Sequence, residues 1–154
     1  MSVYKNILVA IDLSDESQQV VDKALAITGV GDHLALVHVV SPIEHVYGGF
    51  GAMGLAGDFS EQMATLEQQA LAHAAQKLKD LGAVLGVPES RQFTPVGHAA
   101  TEIQRVAGEI EADLIVMGTH GRHGLGLLLG STANSVLHGV KRDVLAVQVH
   151  TPER

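Results

Sequence analysis

Short apolar runs at wide spacing, each followed by a stretch of helical period, are what most limit the folds open to this chain. Val3 to Ile11 reads as a nearly continuous apolar strand. The acidic and hydroxyl residues between Asp12 and Ser17 then open a segment with apolar positions at Val20, Val21, Ala24 and Ile27. That spacing lays one apolar stripe along a helix, and an acid and hydroxyl cluster suits its start. Gly29 and Gly31 end it. Leu34 to Val40 follows as a second strand, rich in the branched residues that suit a sheet buried on both faces.

Residues 42–57 break the pattern, with Pro42 followed by Gly48, Gly49, Gly51, Gly54 and Gly57, the composition of a loop. Asp58 and Glu61 have capping-box spacing, and Met63, Leu66, Ala70, Ala74, Leu78 and Leu81 then mark a long helix to about Gly82. Arg91 to Val96 is the most polar strand, and Pro95 makes it an edge or an early stop. Ile103, Val106, Ala107 and Ile110 give a third helix after Gly97. Asp113 to Gly118 is a buried strand, Ser131 to Val140 a short helix, and Val144 to Val149 the last strand, with Gln148 its one polar break. Strands alternating with helices predict a parallel sheet covered on both faces, with right-handed crossovers. At 154 residues and 46% hydrophobic content the chain suits a single domain spanning 1–154.

Composition removes several function classes. There is no cysteine, hence no disulfide framework, thiolate metal site or cysteine nucleophile. Seventeen acidic against ten basic residues give a formal charge of -7, which opposes a phosphate backbone, so nucleic acid is not an expected partner. No apolar run approaches the roughly 20 residues of a membrane span. The start of the chain, a lone Lys5, five apolar residues and then Asp12, lacks the pattern of a secretory signal, and a cytoplasmic location is expected.

Gly118 to Thr132 carries five glycines in fifteen residues, directly behind the apolar run that ends at Met117. In a parallel sheet, ligands bind beyond the carboxyl ends of the strands. Gly118 and Gly121 would let backbone approach a ligand closely, and Gly130-Ser131-Thr132 would offer amides and hydroxyls at a helix start, groups that suit a phosphate. Glycines alone serve equally well for a tight strand-to-helix turn. The stretch contains no Gly-Lys-Ser/Thr and is not a Walker A loop.

Gly118-Thr-His-Gly121, a spacer and Gly130-Ser131, set between a Val/Ile-rich strand and a final Asp-Val-Leu-Ala-Val strand, resemble the universal stress protein family. The opening Lys5 to Ser14 and Leu36 to Val40 resemble it too, so the similarity runs the length of the chain. The resemblance implies a flavodoxin-like, adenine nucleotide alpha-hydrolase-like fold, a doubly wound five-stranded parallel sheet of order 3-2-1-4-5. It further implies a homodimer through the last strand, Val144 to Val149.

Members that bind ATP carry Gly-x2-Gly-x9-Gly-Ser/Thr. Carried over, the resemblance puts Asp12 on the ribose or adenine, Val39 and Met117 against the adenine, and Gly118, His120, Gly121, Gly130, Ser131 and Thr132 around the phosphates. The implied ligand is ATP, ADP or AMP, accompanied by Mg²⁺. One departure stands out: residues 122–129 make a spacer of eight where the pattern has nine. One residue shifts a loop by about 3.5 Å.

Single residues admit more than one reading. Asp12 suits a ribose and equally a helix cap. His120 and His123, with His38 at a strand end, have nitrogen ligands for zinc but no closely spaced carboxylate. Ser131 lacks the flanking glycine pattern of a nucleophile elbow. The glycine stretch holds no lysine, and Asp12 is the one evident acid near it, a poor set for phosphoryl transfer. A sensor or regulator of the stress response is therefore expected rather than an enzyme. The alternative is a dimeric interaction module that acts on a protein partner without binding nucleotide.

Overall fold

Ile7, Leu8 and Val9 have no exposed surface at all, and adjacent strand residues point to opposite faces, so this strand must be covered on both sides. The computed structural model describes residues 3–29, 31–42, 56–119 and 131–150. In it β1 (Ile7–Ala10) is the middle of a five-stranded parallel sheet. It pairs with β2 (Leu34–Val37) on one side and β4 (Leu114–Gly118) on the other. β3 (Gln92–Phe93) extends the sheet beyond β2, and β5 (Asp143–Val147) extends it beyond β4. The resulting order is 3-2-1-4-5, as expected.

Helices α1 (Ser17–Thr28) and α2 (Ala56–Leu85) pack on one face, where Val20, Val21, Ala24 and Leu78 meet Ile7, Val9, Leu36 and Val116. On the other face α3 (Ala99–Glu109) and α4 (Ser131–Leu137) bring Ile103, Val106, Ala107 and Val136 against Leu8, Ala35, Ile115 and Met117. Full burial of each such aliphatic side chain contributes roughly 1.5–3 kcal/mol. Among the described residues no helix is long and apolar enough to cross a membrane.

The element boundaries differ from the sequence reading in instructive ways. The first strand begins at Ile7 and not at Val3, which is 87% exposed. The Asp113 carboxylate explains this, because it draws in the N–H groups of Lys5 and Asn6 at 2.8 and 3.1 Å before the ladder starts. Asp58 does not stand at a helix cap, since α2 already starts at Ala56 and places Asp58 in the first turn. An acid is favoured there by the helix dipole. Gly82 does not stop the helix either. A Cβ at Gly82 would lie 2.1 Å from Gln92 Nε2, so its smallness serves the approach of α2 to the β3 edge. The last strand ends at Val147 rather than Val149.

The amino ends of the strands are tied by side chains. Arg91 donates from Nε to Leu34 O at 2.9 Å and from its terminal nitrogen to Asn6 Oδ1, while Asn6 Nδ2 donates to Ile110 O. Arg142 donates from Nε to Ala112 O at 2.8 Å. No comparable tie crosses all the strands at their carboxyl ends among the described residues. There α2 projects past the sheet: a 30-residue helix is about 45 Å long, and its first buried side chain among those described is Ala74.

Candidate functional site

The strand order reverses between β1 and β4, because the chain leaves β1 toward β2 and returns to β4 on the other side. Such a reversal leaves a crevice at the carboxyl ends of the two strands. A cleft of about 180 Å³ lies there. The β1–α1 turn contributes Asp12, Ser14 and Ser17, the end of β2 gives His38 and Val39, and β4 gives Met117 and Gly118. Thr132 and Ala133 enter from α4, Ile103 from α3, and Val149 from beyond β5.

Five of the nine residues that the resemblance puts on the nucleotide thus share one cleft, Asp12, Val39, Met117, Gly118 and Thr132, and His38, weighed as a zinc ligand, lines it as well. Ser131 is the first residue of α4, as its place after the glycines predicts. His120, Gly121 and Gly130 lie outside the described residues, as do His123, the eight-residue spacer and most of the loop at 42–57. Ser14, Ser17 and Val149 line the cleft without having been named as site residues from the sequence. The hydroxyl cluster after β1 was the available signal for the two serines, and the burial of Val149 shows only in three dimensions.

Asp12 organises its own turn rather than capping α1. Its Oδ1 accepts from Ser14 N–H at 3.0 Å, Ser14 Oγ at 2.6 Å and Ser17 Oγ at 2.9 Å, while Glu16 occupies the cap position without a side-chain bond. Burial pushes the Asp12 carboxyl up, but the bonds from Ser14 and Ser17 outweigh it and hold the group below its ordinary value. It is a carboxylate at neutral pH. Leu13, between the bonded residues, has φ 61, a conformation that residues other than Gly, Asn and Asp rarely adopt.

The rest of the lining is apolar where it meets the sheet and acidic at the β1–α1 turn, where Glu16 joins Asp12. Among the described lining residues there is no lysine or arginine. No group of three or more metal-ligating side chains occurs among the described residues.

A doubly wound α/β protein with a crevice at its topological switch point is what this fold and cleft define. The chain belongs to the universal stress protein family, whose model matches residues 3–148. It is 42% identical over 145 residues to universal stress protein A homolog 1 of Coxiella burnetii, covering 94% of this chain and 96% of that one. Homolog 2 of the same organism is 37% identical over 97% of this chain and 98% of its own. Among solved structures, hypothetical protein MJ0577 superposes with a TM-score of 0.78 at 23% identity, covering 97% of this chain and 99% of its own. A universal stress protein in complex with cAMP superposes at 0.55 and 24% identity, with 96% and 98% covered. These likenesses show a shared fold.

Proposed function

We propose that this protein binds an adenine nucleotide in the cleft at the β1/β4 switch point and acts as a homodimeric, cytoplasmic sensor or regulator in the stress response. The observation that carries this reading is the meeting of Asp12, Val39, Met117, Gly118 and Thr132 in one cleft. A flat base suits the apolar floor between Val39 and Met117, and the Asp12 carboxylate can accept hydrogen bonds from ribose hydroxyls. The cleft volume of about 180 Å³ is below the roughly 300 Å³ upward that encloses a drug-sized ligand whole, and it suits a nucleoside with its phosphates directed outward. Gly118, His120, Gly121, Gly130, Ser131 and Thr132 would meet those phosphates, with Mg²⁺ as their counter-ion. The cAMP held by a protein of this fold supports the choice of adenine.

Sensing, rather than turnover, is favoured by the absence of a lysine from residues 118–132. Self-association is supported by β5, an edge strand whose Val144, Leu145 and Ala146 are only partly covered. Pairing such an edge with a second copy would remove its exposed backbone groups.

The test is calorimetric titration of nucleotide-free protein with Mg-ATP, ADP, AMP and cAMP, beside Asp12→Asn. Micromolar binding weakened in the variant supports the reading. Wild-type protein that binds none of them near millimolar concentration overturns it. The second reading, an interaction module acting on a protein partner, would then hold; the spacer of eight residues at 122–129 is the observation that favours it.

A further inference from the structure

The carbonyl of Ile11 stands where the sheet begins to open. β1 and β2 pair from Ile7 with Leu34 to Ala10 with Val37, and one more bond, Ile11 N–H to Val37 O at 3.0 Å, continues the run. Beyond it the second strand turns to its other neighbour. His38 N–H donates to Phe93 O at 3.0 Å and Val40 N–H to Pro95 O at 2.8 Å. The Ile11 carbonyl is met by a side chain instead, the His38 ring, with Nδ1 2.9 Å from the oxygen. A carbonyl only accepts, so Nδ1 carries the proton, and it does so in the neutral ring and in the imidazolium alike.

We infer that His38 is a positioning residue: by holding the Ile11–Asp12 peptide, its ring sets where the Asp12 carboxylate stands in the cleft. The Asp12 turn has two anchors. His38 fixes it on the strand side, and Ser14 with Ser17 fix it on the helix side through Oδ1. Leu13 lies between them in its left-handed conformation, a backbone state that persists only where its surroundings enforce it. With the His38 anchor gone, Ile11 O loses its donor and the turn can relax away from φ 61. His38 and Asp12 both line the cleft, so the relaxation falls on the ligand site. This inference deepens the nucleotide-binding reading and rests on it for its consequence, though the placing of the turn does not need a ligand.

The experiment compares wild type, His38→Ala and His38→Asn, the last of which returns an N–H near the position of Nδ1. In nucleotide-free protein, amide exchange at Ser14, whose N–H is held by Asp12, should quicken about tenfold in His38→Ala and return toward wild type in His38→Asn. ATP affinity should follow the same order, falling about tenfold and then recovering. Unchanged Ser14 exchange in His38→Ala overturns the positioning role whatever the ligand does. Wild-type protein that binds no nucleotide overturns the proposed function, and the exchange result still decides the role of His38. Should His38→Ala not fold, His38→Gln, with its amide displaced by one methylene, takes its place against His38→Asn.

Discussion

Ser17, the first residue of α1, reaches back five positions to give its hydroxyl to Asp12 Oδ1 at 2.9 Å, and it is buried while doing so. The bond joins the end of β1 to the start of α1, so the same contact serves the cleft and the stability of the fold. Asp12 has a folded-state pKa below its unfolded one. A depressed carboxyl contributes stability that is present above the unfolded pKa of about 3.9 and lost as pH falls through the folded value. Ser17→Ala should therefore cost about 1 kcal/mol at pH 7, and the difference from wild type should shrink below that window. Urea denaturation at pH 7 and near pH 3 measures both arms; a difference that grew in acid would contradict the linkage.

Gly31 and Gly108 should respond oppositely to alanine. A Cβ at Gly31 would lie 2.0 Å from Leu85 O, a backbone atom at the end of α2, so either the start of β2 or the end of the helix must move. Gly31→Ala is expected to lose about 1–3 kcal/mol, the usual cost of overpacking. Gly108 is inside α3 with nothing within 4 Å of a Cβ, and alanine there should add roughly 0.5–1 kcal/mol through helix propensity. Thermal melts of the two variants should shift in opposite directions.

Along α2 the two halves should differ in what they contribute. Leu78 is fully buried against β1 and β2, and Leu78→Ala should cost about 2–5 kcal/mol. Leu66, three turns earlier, is 47% exposed, and Leu66→Ala should stay within about 0.5 kcal/mol. Native-state hydrogen exchange offers a parallel check: amides before Ala74 are expected to open well below the free energy of global unfolding.

Replacing Leu13 by isoleucine keeps volume and hydrophobicity but places a branched Cβ where φ is 61. β-branched residues are the least tolerant of that region. A loss of about 1 kcal/mol is expected, together with weaker ATP binding, because Leu13 is flanked by Asp12 and Ser14. Equal stability of the two proteins in denaturant would show that the conformation is not enforced.

Much of the fold was legible because its physics is local. The apolar runs at Ile7, Leu34 and Leu114 and the helical stripes at Val20 and Ile103 each announce their element through spacing alone. Strand limits were not legible, because they depend on distant partners: Val3 looks like strand until Asp113 takes the neighbouring amides. Gly82 looks like a terminator until Gln92 is seen against it. Of the residues lining the cleft, Asp12, Val39, Met117, Gly118 and Thr132 could be named from the strand ends and the family resemblance. His38 could not be given its role, since a histidine in a strand reveals neither its tautomer nor the carbonyl it meets.

The side-chain ties at the amino ends of the strands give the molecule a spine. Arg91, Asn6 and Asp113 bind together β1, β2 and the approach to β4 at that end, opposite the crevice. Like pages fastened along one margin, the strands are kept from slipping past one another by contacts that stand away from the cleft. Substitutions made at the cleft therefore leave untouched the ties that keep the register on which both hydrophobic layers depend.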